Sequence, residues 1–137
     1  MRNKPLILVV DDESHILHVV ELKLRNAGFE VVTAMDGEEG LEIAVQQKPD
    51  LVITDLQMPV MSGTALCAAM KAHPATQHTP ALVITARGFK LEQEALDTTN
   101  IQAVLSKPFS PREVLCCVNE ILAGGLAASS TEVEPTS

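Results

Sequence analysis

The chain has 137 residues, 46% of them hydrophobic and 20% charged, with a formal net charge of −8. That size and balance fit one globular domain with a single core and exclude a disordered chain, while the acidity argues against a nucleic-acid surface, which needs clustered Lys and Arg. No apolar run reaches the length of a membrane span and no charged-then-apolar leader opens the chain, so a cytoplasmic protein is expected. Aromatic residues are only Phe29, Phe89 and Phe109, which leaves the core to Val, Leu, Ile, Ala and Met. Cys67 stands alone and Cys116 and Cys117 are adjacent, so no disulfide framework is expected.

Leu6 to Val10 is a continuous apolar run, as expected of a strand covered on both faces, and it stops at Asp11-Asp12-Glu13. Ser14 helps to start the next helix, in which Ile16, Val20 and Leu24 recur every fourth residue with Val19 beside them, and Gly28 ends it. His15 and His18 then point outward. Glu30 to Ala34 reads as a shorter strand, and residues 37–47 as a helix burying Leu41, Ala44 and Val45.

Leu51 to Asp55 is a third strand, in which an apolar run ends in a carboxylate before Pro59 and Gly63 break the backbone. Thr64 to Ala72 is a helix through Leu66, Ala69 and Met70, and Ala81 to Thr85 a fourth buried strand. Phe89 to Thr98 makes a poor helical stripe. Ile101 to Leu105 is the fifth strand, and Ser110 to Ala123 a helix with Pro111 in its first turn and Val114, Leu115, Val118, Ile121 and Leu122 inward. From Gly124 the composition turns to Gly, Ala, Ser, Thr, Glu and Pro, which predicts a flexible tail over 124–137 after a domain over 5–123. Strands alternating with helices predict an α/β fold, a parallel sheet with right-handed crossovers and helices on both faces.

In such a sheet the carboxyl ends of the strands share one edge, where α/β folds keep their chemistry. Asp11 and Asp12 follow the first strand, Asp55 ends the third, Thr85 the fourth, and Lys107 follows the fifth. Three carboxylates gathered there repel one another and raise each other's pKa. A hard cation relieves the cost, and Mg²⁺, which takes oxygen ligands and keeps waters, suits two or three carboxylates. Beside it Asp55 can attack a phosphoryl group as a carboxylate nucleophile. Mg²⁺, the Lys107 ammonium and the Thr85 hydroxyl would then share the charge developing on the phosphoryl oxygens.

These residues resemble the receiver (response-regulator) domains of two-component phosphorelays. The resemblance covers residues 5–123 and rests on Asp11-Asp12, on Asp55 followed by Met58-Pro59 and Gly63, on Thr85-Ala86 and on Lys107-Pro108-Phe109. It implies a flavodoxin-like fold of five parallel strands in the order 2-1-3-4-5 with five helices. It further implies that Asp55 accepts a phosphoryl group from a histidine kinase or histidine phosphotransfer protein, and that Asp11, Asp12, Asp55 and the Gln57 backbone carbonyl hold Mg²⁺. Lys107 would contact the phosphoryl group and precede a cis peptide to Pro108, while Gln57, Ala86 and Arg87 would tune hydrolysis. Thr85 would move toward the phosphoryl group and shift the face of the fourth helix, fifth strand and fifth helix for a downstream protein target. No direct nucleic-acid or membrane partner, and no enzymatic role beyond self-catalysed transfer to and from Asp55, is implied.

Two departures stand out. Val104 occupies the place of the family's usual switch aromatic, and Asn100-Ile101 that of a common Gly-Ala. A degenerate receiver acting as a phosphorylation-independent interaction module is therefore the alternative reading. A haloacid-dehalogenase-type phosphatase would need an acid two residues after the nucleophile, where this chain has Gln57, and room for a substrate cap. Nothing in the chain resembles an output domain, so a stand-alone receiver is expected.

Overall fold

Three runs, Leu6–Val10 (β1), Leu51–Asp55 (β3) and Ala81–Thr85 (β4), are buried at every position, the pattern of parallel strands covered on both faces. The computed structural model describes residues 4–58, 60–86 and 93–124. With Glu30–Ala34 (β2) and Ile101–Ser106 (β5), these strands form one parallel sheet in the order β2-β1-β3-β4-β5. The helices are Ser14–Asn26 (α1), Gly37–Gln47 (α2), Gly63–Ala72 (α3), Gln93–Thr98 (α4) and Pro111–Leu122 (α5). The architecture is the flavodoxin-like α/β fold that the sequence implied.

Strand alternation divides the core between two faces. Ile7, Val9, Leu51, Ile53, Leu82 and Ile84 pack with Leu17, Val20 and Leu24 of α1 and Val114, Val118 and Ile121 of α5. On the other face Leu8, Val10 and Val52 pack with Ala44 of α2 and Leu66 and Met70 of α3. A smaller cluster joins Leu56, Cys67, Ala81, Val83 and Ile101, with Leu96 of α4 against it. Cys67, a free thiol, is buried deeply enough that its pKa is pushed up to about 12.

Side-chain caps fix where three helices start. Asp36 accepts from the Glu39 N–H, Ser62 from the Ala65 N–H, and Ser110 forms a capping box with Glu113 behind Pro111. Each such cap stabilises its helix by about 1 kcal/mol.

The sequence reading of α1 is corrected in two respects. Its buried stripe is Leu17, Val20 and Leu24, with Ile16 only half-buried and Val19 exposed. Its N-cap is Glu13 rather than Ser14, and the Glu13 side chain makes no capping bond. Helix α3 begins one residue before the expected start and buries Cys67 beside Leu66 and Met70. In α2 the fully buried positions are Gly37, Gly40 and Ala44, while Leu41 and Val45 are half-buried. Helix α4 is described from Gln93 on; the start expected at Phe89 lies outside the described residues, as does the expected tail beyond Gly124.

Candidate functional site

Asp11 is the first residue past β1, tied to the sheet by its N–H, which donates to the Ala34 carbonyl at 3.1 Å. Its side chain turns inward and is only 1% exposed. Oδ1 accepts the Glu13 N–H at 2.9 Å, whereas Oδ2 is buried without a partner among the described residues. The neighbouring Asp12 faces solvent. Asp55, buried, ends β3, and carboxylate oxygens of Asp11, Asp12 and Asp55 lie within 4.8 Å of one another. Lys107 comes from the far edge of the sheet, where its N–H donates to the Thr85 carbonyl at 2.8 Å and continues the β4 and β5 pairing. Its Nζ reaches to 3.3 Å from Asp55 Oδ1 and 3.2 Å from Glu13 Oε1. The Lys107–Pro108 peptide is cis.

Burial is the main cause of the abnormal acidity here. It pushes the Asp11 carboxyl up to about 6, opposed by the Glu13 N–H and the Lys107 charge and reinforced by Asp55. The Asp55 carboxyl is likewise raised by burial, against the pull of Lys107, with Asp12 and Glu13 adding to the rise. Burial alone would lower the Lys107 ammonium, but Asp55, Glu13 and Asp11 together outweigh it and hold its pKa above the usual value.

The loop after Asp55 is held against the strand end by Gly63. Its N–H donates to the Leu56 carbonyl at 2.8 Å. A Cβ placed at Gly63 would collide with the Asp55 carbonyl oxygen and come within 2.9 Å of the Leu56 Cα. Both obstacles are backbone, so neither can rotate away. Gly63→Ala is therefore expected to destabilise the protein by about 1–3 kcal/mol, measured by thermal unfolding. An unchanged melting temperature would contradict the tight approach. Met58 and Met61 pack against the core from this loop, as expected of residues that fill space.

The other sequence-predicted positions are placed as follows. Thr85 ends β4 one residue beyond Ile84, the register partner of Asp55, and its hydroxyl is buried with no hydrogen-bond partner among the described residues. Gln57 is exposed in the loop past β3, and Ala86 is exposed just after β4. Val104 lies opposite Val83 on β5 and is 39% exposed. Pro108 is exposed beside the site, and Arg87 lies outside the described residues. All four histidines are exposed, as expected. Sequence reasoning assigned no role to Glu13, although it stood third in the acidic run; its contact with Lys107 spans 94 positions and leaves no local signal.

The donors gathered at this edge suit a small hard cation: carboxylate oxygens within a few ångströms of one another, one of them buried and unsatisfied. Three comparisons with known proteins bear on the site. The alkaline phosphatase synthesis transcriptional regulatory protein PhoP of Bacillus subtilis is 36% identical over 129 residues, covering 93% of this chain and 53% of its own length. The chain thus spans about half the length of that curated relative. A putative response regulator from Chloroflexus aurantiacus, solved by crystallography, superposes with a TM-score of 0.80 at 36% identity, covering 88% of this chain and 99% of that one. The receiver domain of the sensor histidine kinase PA1611 from Pseudomonas aeruginosa, described with a magnesium ion coordinated in its active-site cleft, superposes with a TM-score of 0.78 at 25% identity, covering 88% and 98% of the two chains. The family model of the response regulator receiver domain matches residues 7–119. The chain belongs to the response regulator receiver family.

Proposed function

We propose that this protein is a Mg²⁺-dependent phosphoryl acceptor whose acceptor group is Asp55. The observation that carries this reading is the meeting, at one strand edge, of a buried carboxylate, a lysine ammonium 3.3 Å away and two further carboxylates. Asp11, Asp12, Asp55 and the Gln57 backbone carbonyl hold the metal. When bound, Mg²⁺ neutralises charge on the transferring phosphoryl group and on the carboxylates around it. Magnesium in the cleft of the PA1611 receiver domain supports that assignment.

In the transfer, an Asp55 oxygen forms a bond to phosphorus as the bond from phosphorus to the donor breaks, and the electron pair leaves with the donor. The donor is a histidine kinase or histidine phosphotransfer protein, and the product is an acyl phosphate on Asp55. Lys107 meets one equatorial oxygen and Thr85, whose hydroxyl has no hydrogen-bond partner among the described residues, turns to another. Gln57, Ala86 and Arg87 set how long the acyl phosphate lasts. Receiver domains are signalling domains rather than enzymes that turn over a separate substrate. Output here runs through the face of α4, β5 and α5 toward a protein target. With Val104 in place of an aromatic ring, Thr85 transmits the change to that face without a ring rotation. The functional unit comprises residues 5–123, followed by residues 124–137, and acts in the cytoplasm without itself contacting DNA or a membrane; PhoP, of which this chain covers 53%, is named a transcriptional regulatory protein.

Acetyl phosphate with Mg²⁺ is expected to add one phosphoryl group to the wild type and none to Asp55→Asn, read by intact mass spectrometry. Equal labelling of the two would remove Asp55 from its role.

A further inference from the structure

We propose that Glu13 is a positioning residue that steers the Lys107 ammonium to one side of Asp55 and so keeps the nucleophilic oxygen open. The inference rests on the reading of Asp55 as the phosphoryl acceptor and assigns to Glu13 a part that neither metal binding nor the acceptor chemistry requires. Lys107 Nζ stands between two carboxylates, 3.2 Å from Glu13 Oε1 and 3.3 Å from Asp55 Oδ1. An ammonium on a long flexible stem has three donors and much rotamer freedom, so a single partner fixes its distance and leaves its direction loose. Two partners on different elements fix both.

Glu13 is suited to be the second partner because its own backbone is pinned. Its N–H donates to Asp11 Oδ1 at 2.9 Å, and its carbonyl accepts the N–H groups of Ile16 and Leu17, both at 3.1 Å, as the N-cap of α1. The carboxylate therefore projects from a rigid helix start beside the acidic cluster. Its side chain is 51% exposed, and ion pairs in that setting contribute little net stability. Its value is directional. With one donor on Glu13 and one on Asp55 Oδ1, the third is left for a phosphoryl oxygen, and Asp55 Oδ2, which the ion pair with Lys107 does not engage, is left to attack phosphorus. Without Glu13, the nearest strong partner left to the ammonium is Asp55 itself, and it settles across both oxygens of the nucleophile.

The test measures the rate of Asp55 labelling by acetyl phosphate across a Mg²⁺ titration in wild type, Glu13→Ala, Glu13→Asp and Lys107→Ala, and in the Glu13→Ala/Lys107→Ala double variant. Glu13→Ala is expected to lower the maximal rate at saturating Mg²⁺ about tenfold, a loss in the range that misplaced catalytic groups produce. Glu13→Asp recovers part of it, and the substitution has no further effect once Lys107 is alanine. In the metal-free protein the ¹⁵N resonance of the Lys107 ammonium shifts in Glu13→Ala and returns toward its wild-type position in Glu13→Asp. A change confined to the Mg²⁺ concentration for half-maximal rate, with the maximum intact, would show that Glu13 acts only as a nearby negative charge and overturns the proposal. So would an equal loss with and without Lys107, or an unmoved resonance. Failure of the wild type to label at all would instead defeat the acceptor reading, which separates the two failures.

Discussion

Replacing Lys107 by alanine is expected to slow phosphoryl transfer to Asp55 by about a hundredfold at saturating Mg²⁺, in line with the loss of one preorganised charge-stabilising donor. Metal affinity should be undiminished. In the phosphoryl-transfer transition state negative charge spreads over three equatorial oxygens, and the ammonium already stands within 3.3 Å of the acceptor carboxylate, partly shielded from water. No other cationic side chain among the described residues is paired with Asp55. The metal term moves the other way. Lys107 is a positive charge beside Asp11 and Asp55, so removing it makes the cluster a stronger cation site. Its loss also lets the pKa of Asp55 rise further, because Lys107 is what holds it down. Rates are therefore compared at about pH 8, well above the ordinary carboxylate range, so that protonation of the acceptor does not masquerade as lost catalysis. A Lys107→Ala variant that labels at the wild-type rate, or that loses Mg²⁺ binding, would contradict the role assigned to the ammonium.

The strands were the most legible part of the chain, for a physical reason. β1, β3 and β4 are buried on both faces, so they read as unbroken apolar runs with a polar residue at the end, and that residue marks the edge where the candidate site lies. The α1 stripe was less legible because Ile16, Leu17, Val19 and Val20 offer two overlapping helical faces of similar hydrophobicity. Packing against α5 and the sheet decides between them, burying Leu17 and leaving Val19 exposed. Asp11 and Asp12 are chemically identical in the sequence. Only the fold separates them, one inward with an unsatisfied oxygen and the other in solvent. Glu13 was hidden for a related reason: its role depends on a side chain that the sheet brings across from β5. Convergence of the expected acids and the lysine followed from topology alone, because parallel strands leave their carboxyl ends no other edge.

In the presence of a chelator, the protein is expected to lose stability as the pH rises from about 4 to 7, the reverse of the usual behaviour of a paired carboxylate. Burial lifts the Asp11 carboxyl from 3.8 to about 6. Between those values the native state binds a proton that the unfolded chain does not, so raising the pH favours unfolding. The stabilisation is fully present below the unfolded pKa and is lost as the pH passes through the folded one. That difference corresponds to about 3 kcal/mol, or on the order of 10 °C in melting temperature for a chain of this size. Asp55, raised in the same direction, adds to the slope. Mg²⁺ competes with that proton for the same oxygens, so its stabilising effect should be small near pH 5 and grow toward pH 7.5. At a hundred times its Kd it contributes about 2.7 kcal/mol. Asp11→Asn removes the charge that burial penalises, so it should flatten the metal-free profile and raise the melting temperature at pH 7 while weakening the response to Mg²⁺. A metal-free profile that rises between pH 5 and 7.5, and does so equally in Asp11→Asn, would mean that the buried carboxylate is not the strained group and that the cation has no such strain to relieve.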